Sequence, residues 1–208
     1  MKKSPVEAHE LIQILLTSLY EIIGSAEMET MIETISLPIN FDEEAPVLNH
    51  LFSLSDWENM AGQLKLLYGE ESTCGIAIRT GQEFFTGYFR RFGSDTSMNE
   101  PDFRMLPKPR RIQKGLEILA NLYQHAIPQL EVQIIQDEDH WYWKTADSKN
   151  WFVKRGIEPL FQNFTLGVIQ EFLSWTSGGK AYPVHLVTGI QETGTDMRTI
   201  QIKKHYLS

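Results

Sequence analysis

Apolar residues recur at helical spacing through Leu11, Leu15, Leu19 and Ile22, predicting a helix from Ala8 to Ile23 that Gly24 ends. A second short helix is expected from Met28 to Ile35, stopped by Ser36, Leu37 and Pro38. Residues Asn40 to Phe52 break the pattern with Pro46 and the acidic run Asp42-Glu43-Glu44, and read as a loop. Ser55 followed three residues later by Glu58 has the form of a capping box, opening a helix that Gly69 closes. From Thr73 to Phe92 the helical positions carry Ile78, Phe84, Phe85, Tyr88, Phe89 and Phe92, interleaved with Gly75, Gly81 and Gly87. Each glycine costs a helix about 1 kcal/mol against alanine, so tertiary packing must hold this one. The same glycines admit a neighbouring backbone or a ligand.

Gly93 to Pro109 is polar, contains Pro101, Pro107 and Pro109, and reads as a long loop. Arg110 to Ala126 resumes the helical period through Ile112, Leu116, Leu119 and Tyr123, ending before Pro128. The apolar period then shortens from helical to alternating. Leu130, Val132 and Ile134 alternate with Glu131 and Gln133; after Asp137-Glu138-Asp139, Trp141 and Trp143 alternate with Tyr142 and Lys144. That is a β-hairpin. A loop at Asp147 to Asn150 leads to a helix from about Glu158 to Thr176 with Phe161, Phe164, Val168, Phe172 and Trp175 on one face. Ser177-Gly178-Gly179 stops it. Strands at Tyr182–Thr188 and Thr199–Tyr206 flank a Gly194-Thr195-Asp196 turn.

This order, without alternating βα units, predicts an α+β fold: N-terminal helices followed by a helix bundle packed on an antiparallel sheet of about four strands. Residues 1–40 are expected to form a helical appendage, and residues 41–208 a single α+β ligand-binding domain.

Composition narrows the function. The net charge of −8 argues against nucleic acid or an anionic membrane as a general partner. The single cysteine, Cys74, excludes an internal disulfide and any Cys-based zinc or iron–sulfur site. No apolar run approaches the roughly 18 residues of a membrane span. Glu7, His9, Glu10 and Gln13 interrupt the apolar stretch a signal peptide needs, so a cytoplasmic protein is expected. Aromatic residues are abundant at Phe 11, Tyr 7 and Trp 5.

Catalytic motifs are missing. Ser174 to Ala181 lacks the phosphate-loop pattern, since the first Gly and the Ser or Thr after Lys180 are absent; it reads as a helix stop. Asp137-Glu138-Asp139-His140 reads as a solvated hairpin turn rather than a cation loop. His9, His50, His125, His185 and His205 share no i,i+4 pair. Cys74 opens a helix, where a thiol pKa can fall, but it reads as a small buried hydrophobe. No GxSxG elbow exists. No catalytic residue, metal ligand or cofactor is nominated.

The aromatic stripes remain, and with them a binding role. Phe84, Phe85, Tyr88 and Phe92, with Leu116, Leu119 and Tyr123 from the next long helix and Phe161 and Phe164 from the last, are candidates to line an apolar cavity. Arg79, on the glycine-bearing helix, is a candidate to orient an acidic group.

The chain also resembles a known family. Phe164-Thr-Leu-Gly-Val-Ile-Gln-Glu-Phe-Leu-Ser-Trp175, the Gly-Gly break, Tyr182-Pro-Val-His-Leu-Val-Thr188, the Gly194-Thr-Asp196 turn and Arg198-Thr-Ile-Gln-Ile202 resemble the closing segment of the vinyl-reductase-type domain, the predicted hydrocarbon-binding domain. Tyr20-Glu-Ile-Ile-Gly24, Leu67-Tyr-Gly69 and Arg79-Thr-Gly81-Gln-Glu-Phe84 are similar to its upstream helices. The resemblance runs from about residue 15 to 203. Where members commonly carry cysteines near the last turn, this sequence has Ile190 and Arg198. The resemblance implies a fold related to heme-based nitric-oxide sensors and vesicle-tethering subunits, which hold a heme or a lipid chain between helices and sheet. The heme sensors' Tyr-x-Ser-x-Arg signature is absent, so heme is not carried over. A homodimer paired through the N-terminal helices is also expected, because such domains often pair and residues 8–37 are rich in apolar positions. The expected function is non-catalytic binding of a small hydrophobic molecule (fatty acid, isoprenoid or tetrapyrrole) as sensor, carrier or scaffold. The alternatives are an accessory role in tetrapyrrole vinyl reduction and an interaction module with no free ligand.

Overall fold

A computed structural model describes residues 7–37, 39–42, 45–48, 53–147, 150–187 and 197–206. The apolar stripe of the first segment folds as α1 (Ala8–Ile23), which buries Leu11, Ile14, Leu15, Leu16 and Leu19. Gly24 adopts φ 92°, a region that favours glycine, and turns the chain directly into α2 (Ser25–Thr34). Met28, Met31 and Ile32 of α2 are buried against α1 and the residues that follow.

The expected loop at Asn40–Phe52 contains a two-stranded antiparallel hairpin, β1 (Ile39–Asp42) and β2 (Ala45–Leu48). Two features hid it: each strand has four residues, too few to display alternation, and Pro46 argues against a strand. In a two-stranded sheet every strand is an edge, where a missing N–H is tolerated.

The capping box lies two residues earlier than expected. Asp56 N donates to Ser53 Oγ at 3.3 Å and Ser53 N donates to Asp56 Oδ2 at 2.6 Å, opening α3 (Leu54–Phe92). At Gly69, φ 77° and ψ 166° leave the helical region, so the first limb of α3 ends there as expected and a second limb resumes beyond the kink. Thr73 Oγ1 stands 2.6 Å from Gly69 O and 3.0 Å from Leu64 O, so its hydroxyl serves carbonyls at and before the kink.

The stretch expected as a loop after Phe92 contains a 3-10 turn (Ser97–Asn99) and α4 (Pro101–Met105), with Phe103 buried. α5 (Lys108–Ala126) buries Ile112, Leu116, Leu119 and Tyr123. β3 (Leu130–Gln136) and β4 (His140–Asp147) form the predicted hairpin. A short α6 (Trp151–Lys154) precedes α7 (Glu158–Ser177). β5 (Val184–Val187) and β6 (Met197–Lys203) complete a four-stranded antiparallel sheet in the order β3-β4-β6-β5. Thr188 and the Gly194-Thr195-Asp196 turn lie outside the described residues.

This is the α+β architecture the sequence predicts. One face of the sheet buries Leu130, Val132, Trp141, Trp143, Val184, Ile200 and Ile202 under the helices. α3 and α7 pack most closely, and two glycines permit it. A Cβ on Gly81 would sit 2.1 Å from Phe164 O, and one on Gly167 would sit 2.0 Å from Ile78 O. Those glycines therefore admit a backbone, not a ligand.

The expected N-terminal appendage shares this core. Leu11, Ile14 and Leu15 belong to the same buried cluster as Phe84, Leu116, Trp141 and Phe172. The apolar positions of residues 8–37 that suggested pairing between chains are largely buried within this chain.

Candidate ligand-binding cavity

A cavity of ≈ 330 Å³ lies where α1, α3, α5 and α7 converge. α1 supplies Ala8, Leu11, Ile12, Leu15 and Leu19 from its apolar stripe. Both limbs of α3 contribute, Trp57, Met60, Ala61 and Leu64 before the Gly69 kink and Ile76, Ala77, Thr80 and Phe84 after it. The kink is what lets one helix wall the space on two sides. α5 closes it with Leu122, Tyr123 and Ala126, continued by Ile127 and Gln129. Phe152, Ile157, Leu160, Phe161 and Phe164 form the remaining wall.

The aromatic side chains of this wall brace one another. Phe84 meets Phe164 edge-on at 5.2 Å between ring centroids, Phe152 stacks on Phe161 at 4.3 Å, and Tyr123 meets Phe161 at 5.9 Å. Among the described lining residues none is an acid, a lysine, an arginine or a histidine. The polar ones are Trp57, Thr80, Tyr123 and Gln129. Thr80 Oγ1 and Tyr123 OH are buried without a hydrogen-bond partner among the described residues. Tyr123 OH lies near Thr165 but outside hydrogen-bond geometry, and Thr165 donates instead to Phe161 O at 2.8 Å. Burial pushes the Tyr123 phenol well above its ordinary range and keeps it neutral.

Of the ten residues nominated from sequence, Phe84, Tyr123, Phe161 and Phe164 line the cavity. Phe85, Tyr88, Leu116 and Leu119 are buried elsewhere in the core, and Phe92 packs partly buried beside Tyr88. Burial, then the Asp95 carboxylate, push the Tyr88 phenol up to about 12. Arg79 is exposed and outside the lining, so it meets no acidic group there. Sequence reasoning missed the α1 wall and the first limb of α3. The stripe Leu11, Leu15 and Leu19 is the visible signal, which the reading of residues 1–40 as an appendage sets apart from the cavity. Cys74 is half-buried rather than buried; burial, then Glu70, raise its thiol pKa against a smaller opposing effect of Lys65. Among the described residues no group of three or more His, Cys, Asp and Glu is placed to hold a metal ion, and no helix is long and apolar enough to cross a membrane.

The fold matches H-NOX domains. An oxygen-binding H-NOX domain related to soluble guanylate cyclases, solved as its oxygen complex, superposes with a TM-score of 0.59 at 11% identity over 96% of each chain. An H-NOX solved to probe the function of heme distortion in that family gives 0.64 at 10% identity, over 97% of each chain. A point variant of the T. Tengcongensis H-NOX gives 0.62 at 11% identity, covering 97% of this chain and 100% of that one. At such identities the likeness is one of fold. No protein-family model matches the sequence, and no curated protein matches it.

Proposed function

We propose that this protein binds a small hydrophobic molecule in the cavity, without catalysis, and acts as a sensor, carrier or scaffold. The carrying observation is the cavity itself. Protein interiors rarely contain voids much larger than a water molecule, whereas ligand pockets run from about 300 Å³ upward and are mostly apolar. A cavity of ≈ 330 Å³ whose described lining carries no charged side chain belongs to the second group. The H-NOX likeness and the resemblance to the predicted hydrocarbon-binding domain support the same reading.

Heme, raised by the H-NOX likeness, suits this lining poorly. Heme iron takes His, Cys, Met or Tyr as axial ligand. The described lining offers only Met60 and Tyr123, and the Tyr123 hydroxyl is enclosed in the wall. Among the described residues no lysine or arginine lines the cavity to meet the propionates. The reading is therefore narrowed from tetrapyrroles toward simpler apolar molecules.

Native mass spectrometry of the full chain, followed by solvent extraction, tests it. An apolar adduct at one per chain is expected. Ala77→Phe, which fills the cavity from α3, should remove the adduct while the chain still melts cooperatively. A bare mass together with no thermal shift from added apolar compounds would overturn the reading.

A further inference from the structure

From the charge and size of the cavity we infer that it selects uncharged, slender molecules of about the size of a medium-chain ester and rejects the corresponding carboxylates. The inference rests on the ligand-binding reading above and sharpens it. At ≈ 330 Å³ the cavity stands at the lower end of the roughly 300–1,000 Å³ that ligand pockets span, which suits a medium-chain ester such as methyl octanoate.

The rejection of carboxylates follows from what surrounds that space. Burying a carboxylate without a partner is among the most expensive steps in protein chemistry, and the described lining supplies no cation. Four lysines or arginines stand within two positions of described lining residues: Lys65, Arg79, Lys154 and Arg155. Lys65 Nζ donates to Gly156 O at 2.9 Å, and Arg155 Nη1 donates to the Glu58 carboxylate at 2.5 Å. Arg79, the cation expected to meet an acid, and Lys154 are exposed and off the described lining. Thr80 Oγ1 and Tyr123 OH do not compensate, since both are enclosed in the wall. An ester or ether needs no cation.

Calorimetric titration of the full chain at about pH 8 with methyl octanoate and with octanoate separates the possibilities, because the two differ chiefly in charge. The ester should bind saturably, and octanoate should bind at least about ten-fold more weakly. Gln129→Lys, placing a cation in the lining, should raise octanoate affinity relative to the ester and narrow the difference between the two probes. Equal affinities for both probes would overturn the selectivity and leave the ligand-binding reading standing. Binding by neither, with the melting temperature also unmoved, would overturn both.

Discussion

Phe84 and Phe85 are adjacent on α3, and their rings enter two different regions. Phe85 joins a closed cluster with Phe89, Phe172 and Trp175, its ring centroid 6.0 Å from Phe172 and 6.2 Å from Trp175; Phe89 lies 4.3 Å from Trp175. Phe84 belongs to the wall of the cavity, with Phe164, Phe161 and Phe152 around it. Both regions are aromatic and draw on the same two helices, α3 and α7, with Phe152 of α6 added on the cavity side. The difference is what faces the rings. In the closed cluster, α5 approaches so near that a Cβ on Gly115 would strike the Phe172 ring at 2.2 Å. On the cavity side the kink at Gly69 spreads α3 and α1 supplies a far wall, so rings brace one another around a space. Aromatic content alone does not make a pocket; the spacing of the backbones behind the rings does.

Phe85→Ala should cost about 3–5 kcal/mol, because rigid neighbours cannot collapse into the void. Phe161→Ala, which enlarges an existing space, should cost only about 1–3 kcal/mol. Denaturant melts of the two variants measure this, and equal losses would erase the distinction between the regions. The glycines give the next test. Gly81→Ala must drive α7 away from α3 and should cost about 3 kcal/mol. Gly75→Ala, whose Cβ would meet open space, should stabilise by about 1 kcal/mol. A tolerated Gly81→Ala would mean that the close crossing is not what fixes the two helices.

Much of the fold was legible because its signals are local. The stripe of α1, the alternation around Trp141 and Trp143, and the aromatic face of α7 each repeat often enough to declare their period. The hairpin at Ile39–Leu48 did not, since four-residue strands and Pro46 carry no pattern. The site was legible only on α3, α5 and α7, where rings advertise themselves. Leu11, Leu15, Met60 and Ala77 look in sequence like any core residues, and their placement around a space depends on the Gly69 kink. Three of the glycines read alike in sequence, yet Gly81 meets a backbone, Gly87 would bring a Cβ to 3.1 Å from Ile14 Cγ2, and Gly75 meets nothing.

The smallest expected effect belongs to neither region and serves as their control. At the β3–β4 turn Asp137 accepts hydrogen bonds from Tyr142 Oη at 2.5 Å and from the backbone N–H groups of His140 at 2.7 Å and Asp139 at 2.8 Å. The Tyr142 bond first, with the backbone bonds, holds its carboxyl down to about 2 from an ordinary 3.8. The stability it adds is fully present above about pH 4 and is lost as pH falls through about 2. Asp137→Asn should therefore lower the melting temperature slightly at neutral pH, with the deficit vanishing in acid, and should leave ligand affinity unchanged. A deficit that persists in acid would remove the carboxylate's ionisation as its cause.

A crystal structure of the chain, stripped of any co-purified apolar adduct and held under xenon pressure, measures the cavity most directly, because apolar cavities take up xenon while close-packed cores do not. Xenon density is expected between Leu15, Met60, Ala77 and Phe164, and none among Phe85, Phe89, Phe172 and Trp175. A space at the first position filled in by the protein's own side chains or without xenon, or xenon at the second, would contradict a cavity confined to the first region.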